Sequence, residues 1–385
     1  MLNNLRSTTL AKKLYRNQFG KTARNFLKLS LQKKPKNFPL VDDRKQLGEA
    51  DKILIDWPKN CPKPMIGLVR DRRLHPYWTK FERFLLNNDL MFDYYNVHKS
   101  NWAEESNRFP VILWIPDTAN PIMLEEIKRK IYILEKSYGK ICFPTFDTLM
   151  WYEDKITQYQ LLREHHFPII DTFISYDLSE ILETLPKLKY PLVAKSSFGA
   201  GSMDVELVKD SYQAEKIAKN IFSPGGRTTQ FPYLRQKNYV YFQKYQKNEG
   251  YDLRVIIIGD IVVGYYRDVP KGDFRASGMH TERYVSLPED AIKLARDIAS
   301  KLDEVVISVD MLRSTEDGKL YINEIGPFVD IDRLGDLMVD NKNGFYIMNS
   351  DNEINFQSGN FWTNEFILRE FLIRKWISKF SDQVD

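Results

Sequence analysis

Short, nearly uninterrupted apolar runs recur along the first third of the chain, each separated from the next by a stretch of helical spacing or polar residues. Met65-Ile66-Gly67-Leu68-Val69 reads as a buried strand, and 76–88 carries a helical repeat. Further strands are expected near 91–97 and at Val111-Ile112-Leu113-Trp114-Ile115. Pro121 to Tyr138 again shows helical periodicity, and Ile141-Cys142-Phe143 closes the series as one more short strand. Strands alternating with helices predict a small parallel α/β layer over residues 64–145, preceded by a polar, proline-containing connector at 35–63.

The texture changes after residue 150. Two helical stretches and a strand occupy 150–190, and strands are then expected at 191–195, 203–208, 239–245, 252–258 and 261–267. Gly259-Asp260 between the last two forms a tight hairpin turn. A helix near 288–302 leads into strands Val305–Met311 and Lys319–Ile325. This half is α+β, built on hairpins rather than crossovers. Phe361 to Phe380 is apolar over a broad arc, with Arg369, Arg374, Lys375 and Lys379 between, and predicts a core helix; an oligomer face or a membrane-surface contact are the alternatives. The expected organisation is an arm and connector (1–63), the α/β layer (64–149), two α+β units (150–245 and 246–345) and a C-terminal helical segment (346–385).

A chain of 385 residues suits two to three domains. Its two cysteines, Cys61 and Cys142, exclude a disulfide framework or a Cys-based zinc site and favour a reducing compartment. The sequence shows neither an apolar run of about 18 residues nor a signal-peptide core, so a cytoplasmic protein is expected. Charge is unevenly placed. Residues 1–40 hold ten Lys/Arg and no Asp or Glu, which leaves 46 basic against 52 acidic side chains in 41–385. The arm admits three readings: a helix packed back on the body, a contact with an anionic membrane surface or acidic partner, or a targeting segment. The acidic body and the lack of a recognition motif argue against nucleic acid as a partner.

Candidate chemistry sits at strand ends and in otherwise apolar strands. In "LVAKSSFGAGS" a strand ends in Lys195 and runs into a loop of small residues, Ser197, Gly199, Gly201 and Ser202 among them. Such a loop is either a phosphate cradle, where backbone N–H groups approach an anion, or an ordinary hairpin turn beside a solvated lysine. In "YDLRVIIIGDIVVGYYRD" alternation puts Asp252 and Arg254 on one face, and Arg267 comes back across the hairpin toward them. "VVISVDML" and "KLYINEIGPF" carry Asp310 and Glu324 within apolar strands. Buried carboxylates need cations. Two of them on neighbouring strands, facing lysines and arginines, match Mg²⁺ bridging nucleotide phosphates.

The order of these motifs resembles the ATP-grasp ligases, in the branch that contains glutathione synthetase and the ribosomal-protein glutamate ligase. The resemblance covers about residues 64–330. It implies the ATP-grasp fold, a small parallel α/β domain followed by two α+β subdomains that clasp ATP. Residue by residue, "EDKITQYQLL" implies Lys155 on the nucleotide, and "LVAKSSFGAG" implies Lys195 and a flap closing over the phosphates. "YFQKYQK" implies Gln243, Lys244 and Tyr245 around the adenine. The core hairpin implies Asp252 near the ribose or the lysines, Arg254 and Arg267 toward the γ-phosphate and the carboxylate substrate, and Lys271 and Arg275 at the substrate rim. Asp310 and Glu324 are implied as Mg²⁺ ligands. One position departs from the pattern: Gly326 stands where the family usually has asparagine. Asn323 is expected to lie on the opposite strand face, which leaves water, Asp330 or Asp332 to replace the missing amide.

The resemblance thus implies an ATP- and Mg²⁺-dependent carboxylate–amine ligase that works through an acyl phosphate and releases ADP and phosphate. Its partners would be a small-molecule or surface-glycan carboxylate and an amine. The basic arm raises peripheral membrane contact as an expectation, and an oligomer is compatible with the sequence. The competing reading is an ATP-binding regulator or scaffold that no longer catalyses.

Overall fold

A computed structural model describes residues 40–70, 76–115, 121–199, 204–275, 281–329, 338–349 and 353–381. The basic arm, Gly201, Ser202, Asp330 and Asp332 lie outside the described residues. The first strands are β1 (Ile66–Leu68), β2 (Phe92–Tyr94), β3 (Val111–Leu113) and β4 (Ile141–Phe143). They form one all-parallel sheet in the order β2-β1-β3-β4. This is the α/β layer expected from alternating apolar runs and helical repeats.

The second sheet is antiparallel. It holds β5 (Thr172–Ser175), β6 (Leu192–Ala194), β7 (Glu206–Val208) and, after a small β8–β9 pair (Arg227–Thr228 and Arg235–Gln236), β10 (Val240–Lys244), in the order β5-β10-β6-β7. The third sheet is larger. Its path is β15-β14-β11-β12-β17-β16, from β11 (Tyr251–Ile258), β12 (Ile261–Asp268), β14 (Val306–Arg313), β15 (Leu320–Gly326), β16 (Met338–Val339) and β17 (Lys342–Met348). β13 (Glu282–Arg283) pairs with β12, and β18 (Ile354–Ser358) pairs with β17. Residues 354–358, in the stretch expected to be helical, are therefore a strand; the helix begins only at Thr363.

Both faces of the third sheet are covered, which is why β11 reads as a continuous apolar run. One face packs on the helix Glu289–Lys301, whose Ala291, Ile292, Ala295, Ile298 and Ala299 share one stripe. The other face meets the C-terminal helix Thr363–Leu372, and that core continues into the first sheet: Ile256, Ile258, Phe366, Ile367, Phe371, Phe81, Phe84 and Leu113 belong to one apolar cluster. The 361–380 stretch is thus a core element of this chain. Among the described residues no helix is long and apolar enough to cross a membrane.

Candidate active site

β10 leaves the second sheet at Lys244 and β11 enters the third at Tyr251, so a linker of a few residues sets the two sheets facing each other. Between them lies a cleft that opens to solvent. Lys155, Lys195, Gly199, Gln243, Lys244, Tyr245, Asp252, Arg275, Asp310, Asn323 and Glu324 line it.

Each side chain is delivered by local structure. Asp154 caps the helix Lys155–Glu164, accepting from the amides of Ile156 and Thr157, so Lys155 sits in its first turn. Lys155 Nζ donates to Glu324 Oε1 at 3.0 Å and to the carbonyl of Gly199 at 2.9 Å. Burial opposes its charge, but Glu324 and Glu153 outweigh that and hold the ammonium above the ordinary lysine range. Lys195, at the end of β6, donates to Asn323 Oδ1 at 2.9 Å. Burial pushes its pKa down to about 8.

Asp310 and Glu324 are directly opposite on β14 and β15. Arg254 clasps Asp310 from its own register position, Nε to Oδ1 at 2.7 Å and Nη2 to Oδ2 at 2.8 Å. Arg267 bonds both Asp252, its register partner, and Asp310 at 2.6–2.9 Å. Burial works against the Asp310 charge, yet the two guanidiniums keep its carboxyl well below the usual range. Asp252, buried and beside Asp310, is pushed up to about 6. The expectation that both arginines face substrate is corrected in part. Arg254 keeps 28% of its side chain exposed, but Arg267 keeps 6% and is spent on two carboxylates.

The flap root is anchored from behind. Ser197 does not line the cleft; its N–H and hydroxyl pair with Tyr239, and its carbonyl accepts from the Lys155 N–H. Gly199 has φ +101°, a left-handed backbone conformation that residues with a Cβ rarely adopt, so glycine is required there. Its N–H is taken by Glu153 Oε2 at 3.1 Å. Glu153, a residue not anticipated from sequence, therefore holds the amide of the same glycine whose carbonyl Lys155 holds. Arg275 is paired with Asp273 at the cleft wall. Lys271 is exposed and does not line the cleft.

The opposite-face expectation for Asn323 is overturned. Asp310 pairs with Glu324, but the next residue, Met311, pairs with Ile322, so Asn323 is the extra residue of a β-bulge. The bulge shifts the alternation of β15, and Asn323 and Glu324 both reach the cleft. A strict two-residue period could not show this.

These residues fit a nucleotide with its cation. Gln243 Nε2 is fully buried and finds no partner among the described residues, although its side chain lines the cleft; such a donor calls for an acceptor on a ligand. Two lysines and two carboxylates converge on the same space. Among the described residues no three His, Cys, Asp or Glu side chains form a self-sufficient metal cage. Magnesium is ordinarily held by one or two carboxylates with substrate phosphates completing its shell.

Residues 152–339 match the RimK-like ATP-grasp domain. A glutamate–LysW ligase (ArgX) of Sulfolobus acidocaldarius is 26% identical over 191 residues, 49% of this chain and 63% of that protein. Human N-acetylaspartylglutamate synthase A is 34% identical over 116 residues, 29% of this chain and 26% of its own length. The chain thus spans less than two thirds of either relative. Among solved structures, a RimK domain ATP-grasp protein from Sphaerobacter thermophilus superposes with a TM-score of 0.51 at 19% identity, over 69% of this chain and 92% of that one. The shared fold is the ATP-grasp fold.

Proposed function

With residues 152–339 forming a RimK-like ATP-grasp domain, we propose that the protein is an ADP-forming carboxylate–amine ligase acting on a small amino-acid-like carboxylate. The observation that carries this reading is the convergence of Lys155 and Lys195 from one half, and Asp310, Glu324 and Asn323 from the other, on one cleft. In the proposed reaction a carboxylate oxygen attacks the γ-phosphorus, the bond to the β–γ bridging oxygen breaks, and ADP departs. An amine nitrogen then attacks the acyl carbon; the C–O bond to phosphate breaks, and the amine loses its proton to solvent.

The protein's share is positioning and charge neutralisation. Lys155 and Lys195 would meet the phosphates, beside the Gly199 carbonyl that Lys155 holds. Asp310 and Glu324 would hold Mg²⁺, which when bound supplies charge neutralisation between the phosphates. Gln243 and the Lys244–Tyr245 linker would receive the base. Arg254 would face the developing charge while Arg267 fixes Asp310 and Asp252. Arg275 would stand at the substrate rim.

The curated relatives bear names of ligases and synthases of glutamate and similar amino acids. They favour the small-molecule expectation over the surface-glycan one. The test is ADP release from Mg-ATP with hydroxylamine present as an acyl-phosphate trap, run against pools of amino acids, N-acylated amino acids, short peptides and uronic acids. Turnover that depends on one amino-acid-like pool and vanishes in Lys195→Ala and Glu324→Ala is the expected result. Nucleotide binding without turnover in any pool would instead support the regulator reading, and dependence on uronic acids would move the substrate class to glycans.

A further inference from the structure

Glu324 and Asn323 are consecutive in sequence yet both face the cleft, and each holds a lysine: Glu324 that of Lys155 at 3.0 Å, Asn323 that of Lys195 at 2.9 Å. Asp310, opposite Glu324, holds two guanidiniums. Every oxygen-bearing side chain that β14 and β15 present to this part of the cleft therefore holds a cation. Gly326, two residues further along β15, offers no side chain. A Cβ built there would stand 2.9 Å from Ser308 Oγ, whose hydroxyl already donates to the Gly326 carbonyl at 3.1 Å. The strand thus offers an oxygen-bearing side chain at 323 and none at 326.

We propose that Asn323 is a protein oxygen donor to the nucleotide-bound cation, alongside Asp310 and Glu324, and that the bulge at Asp310/Met311 exists in this chain to present it. The inference rests on the nucleotide-and-cation reading of the cleft. An amide oxygen is a hard, neutral donor, suited to Mg²⁺ and Mn²⁺ and unsuited to soft metals. It adds a ligand without adding a third negative charge beside two carboxylates. The side-chain cations are the resting occupants of these oxygens. Lys195 exchanges the neutral Asn323 oxygen for a phosphate more readily than it would leave a carboxylate.

The experiment uses the full chain with a non-hydrolysable ATP analogue, titrated with Mn²⁺ and followed by the spin-resonance signal of free Mn²⁺. Calorimetry measures the affinity for the analogue with and without metal. Asn323→Ala should weaken Mn²⁺ binding in the analogue complex by about tenfold or more, a loss clearly larger than any change in the metal-free analogue affinity. Asn323→Asp, nearly isosteric and able to bond Lys195, should bind Mn²⁺ at least as tightly as the native chain. Equal loss of analogue affinity with and without metal in Asn323→Ala would show that Asn323 only positions Lys195, and unchanged Mn²⁺ affinity would overturn the proposal directly. A native chain that binds the analogue with no gain from metal would overturn it too. A native chain that binds no analogue at all would overturn the proposed function, and the inference with it. Circular dichroism of both variants separates these outcomes from misfolding.

Discussion

Lys155 Nζ stands 3.0 Å from Glu324 Oε1, although 169 residues separate the two in the chain. The same nitrogen donates to Gly199 at the flap root, so one ammonium ties the opening helix, the flap and the carboxylate strand together. Replacing it should be felt at all three. Lys155→Met is expected to weaken binding of an ATP analogue by roughly thirtyfold, about 2 kcal/mol, the low end for truncating one partner of a hydrogen-bonded charge pair. The low end applies because Glu324 keeps 29% of its side chain exposed. Calorimetric titration checks it; affinity within about threefold of native would show that the pair is ornamental to nucleotide binding.

Lys195 supplies a pH signature. Burial lowers its pKa to about 8, below the ordinary 10.5. In the free protein its charge is lost as pH rises through 8, so an anion that needs the ammonium must restore the proton on binding. Affinity for the analogue should therefore fall above pH 8, approaching tenfold per pH unit at most, with proton uptake visible in buffers of different ionisation enthalpy. For stability the sign is reversed: between pH 8 and 10.5 the unfolded chain binds more protons at this site, so the penalty for burying the ammonium fades as pH rises. Lys195→Arg, permanently charged, should flatten the binding profile.

Glu153 holds the Gly199 amide from behind the cleft wall. Removing that acceptor should loosen the flap root and take one of two carboxylates away from Lys155. Glu153→Ala is expected to speed hydrogen exchange of the Gly199 amide by roughly fivefold, the equivalent of about 1 kcal/mol of lost hydrogen bond. Glu153→Gln, which retains an acceptor oxygen, should restore slow exchange. Equal protection in Glu153→Ala and the native chain would dissociate Glu153 from the flap.

Far from the cleft, Glu365 lies fully buried on the C-terminal helix and pairs with Arg83 at 2.6 Å, linking that helix to Trp78–Asn87 under the first sheet. Burial raises its pKa to about 7 in spite of the arginine. A carboxyl raised on folding contributes stability that is complete below about 4.5 and is lost as pH rises to about 7. The native chain should thus lose on the order of 2 kcal/mol of unfolding free energy across that window from this group. Glu365→Gln should be flatter over the same range in urea titrations at pH 5 and pH 7.5.

Asp310 and Glu324 could be picked out from sequence because each interrupts an apolar strand, and burying a charge there is costly unless something requires it. The return of Arg267 toward the start of β11 was equally legible, since a two-residue turn at Gly259-Asp260 fixes the register of β11 against β12. Lys195 was recognisable by the strand it ends and the small residues that follow. β17 and β18 were not seen: Gly344, Asn343 and the polar, exposed positions of β18 give no apolar alternation, and the pairing is imposed by the sheet edge they join.

Patterning along the chain thus determined where most of the strands and helices lie and which charges had to be neutralised, because those follow from local periodicity and from the cost of burying polar groups. Only tertiary structure decided who neutralises whom. Arg267 is taken up by Asp252 and Asp310, Gly199 is held by Glu153 and Lys155 from a turn more than forty residues earlier, and Asn323 reaches the cleft because of a bulge. A bulge is a relation between two paired strands. Neither strand's sequence contains it until the other is beside it.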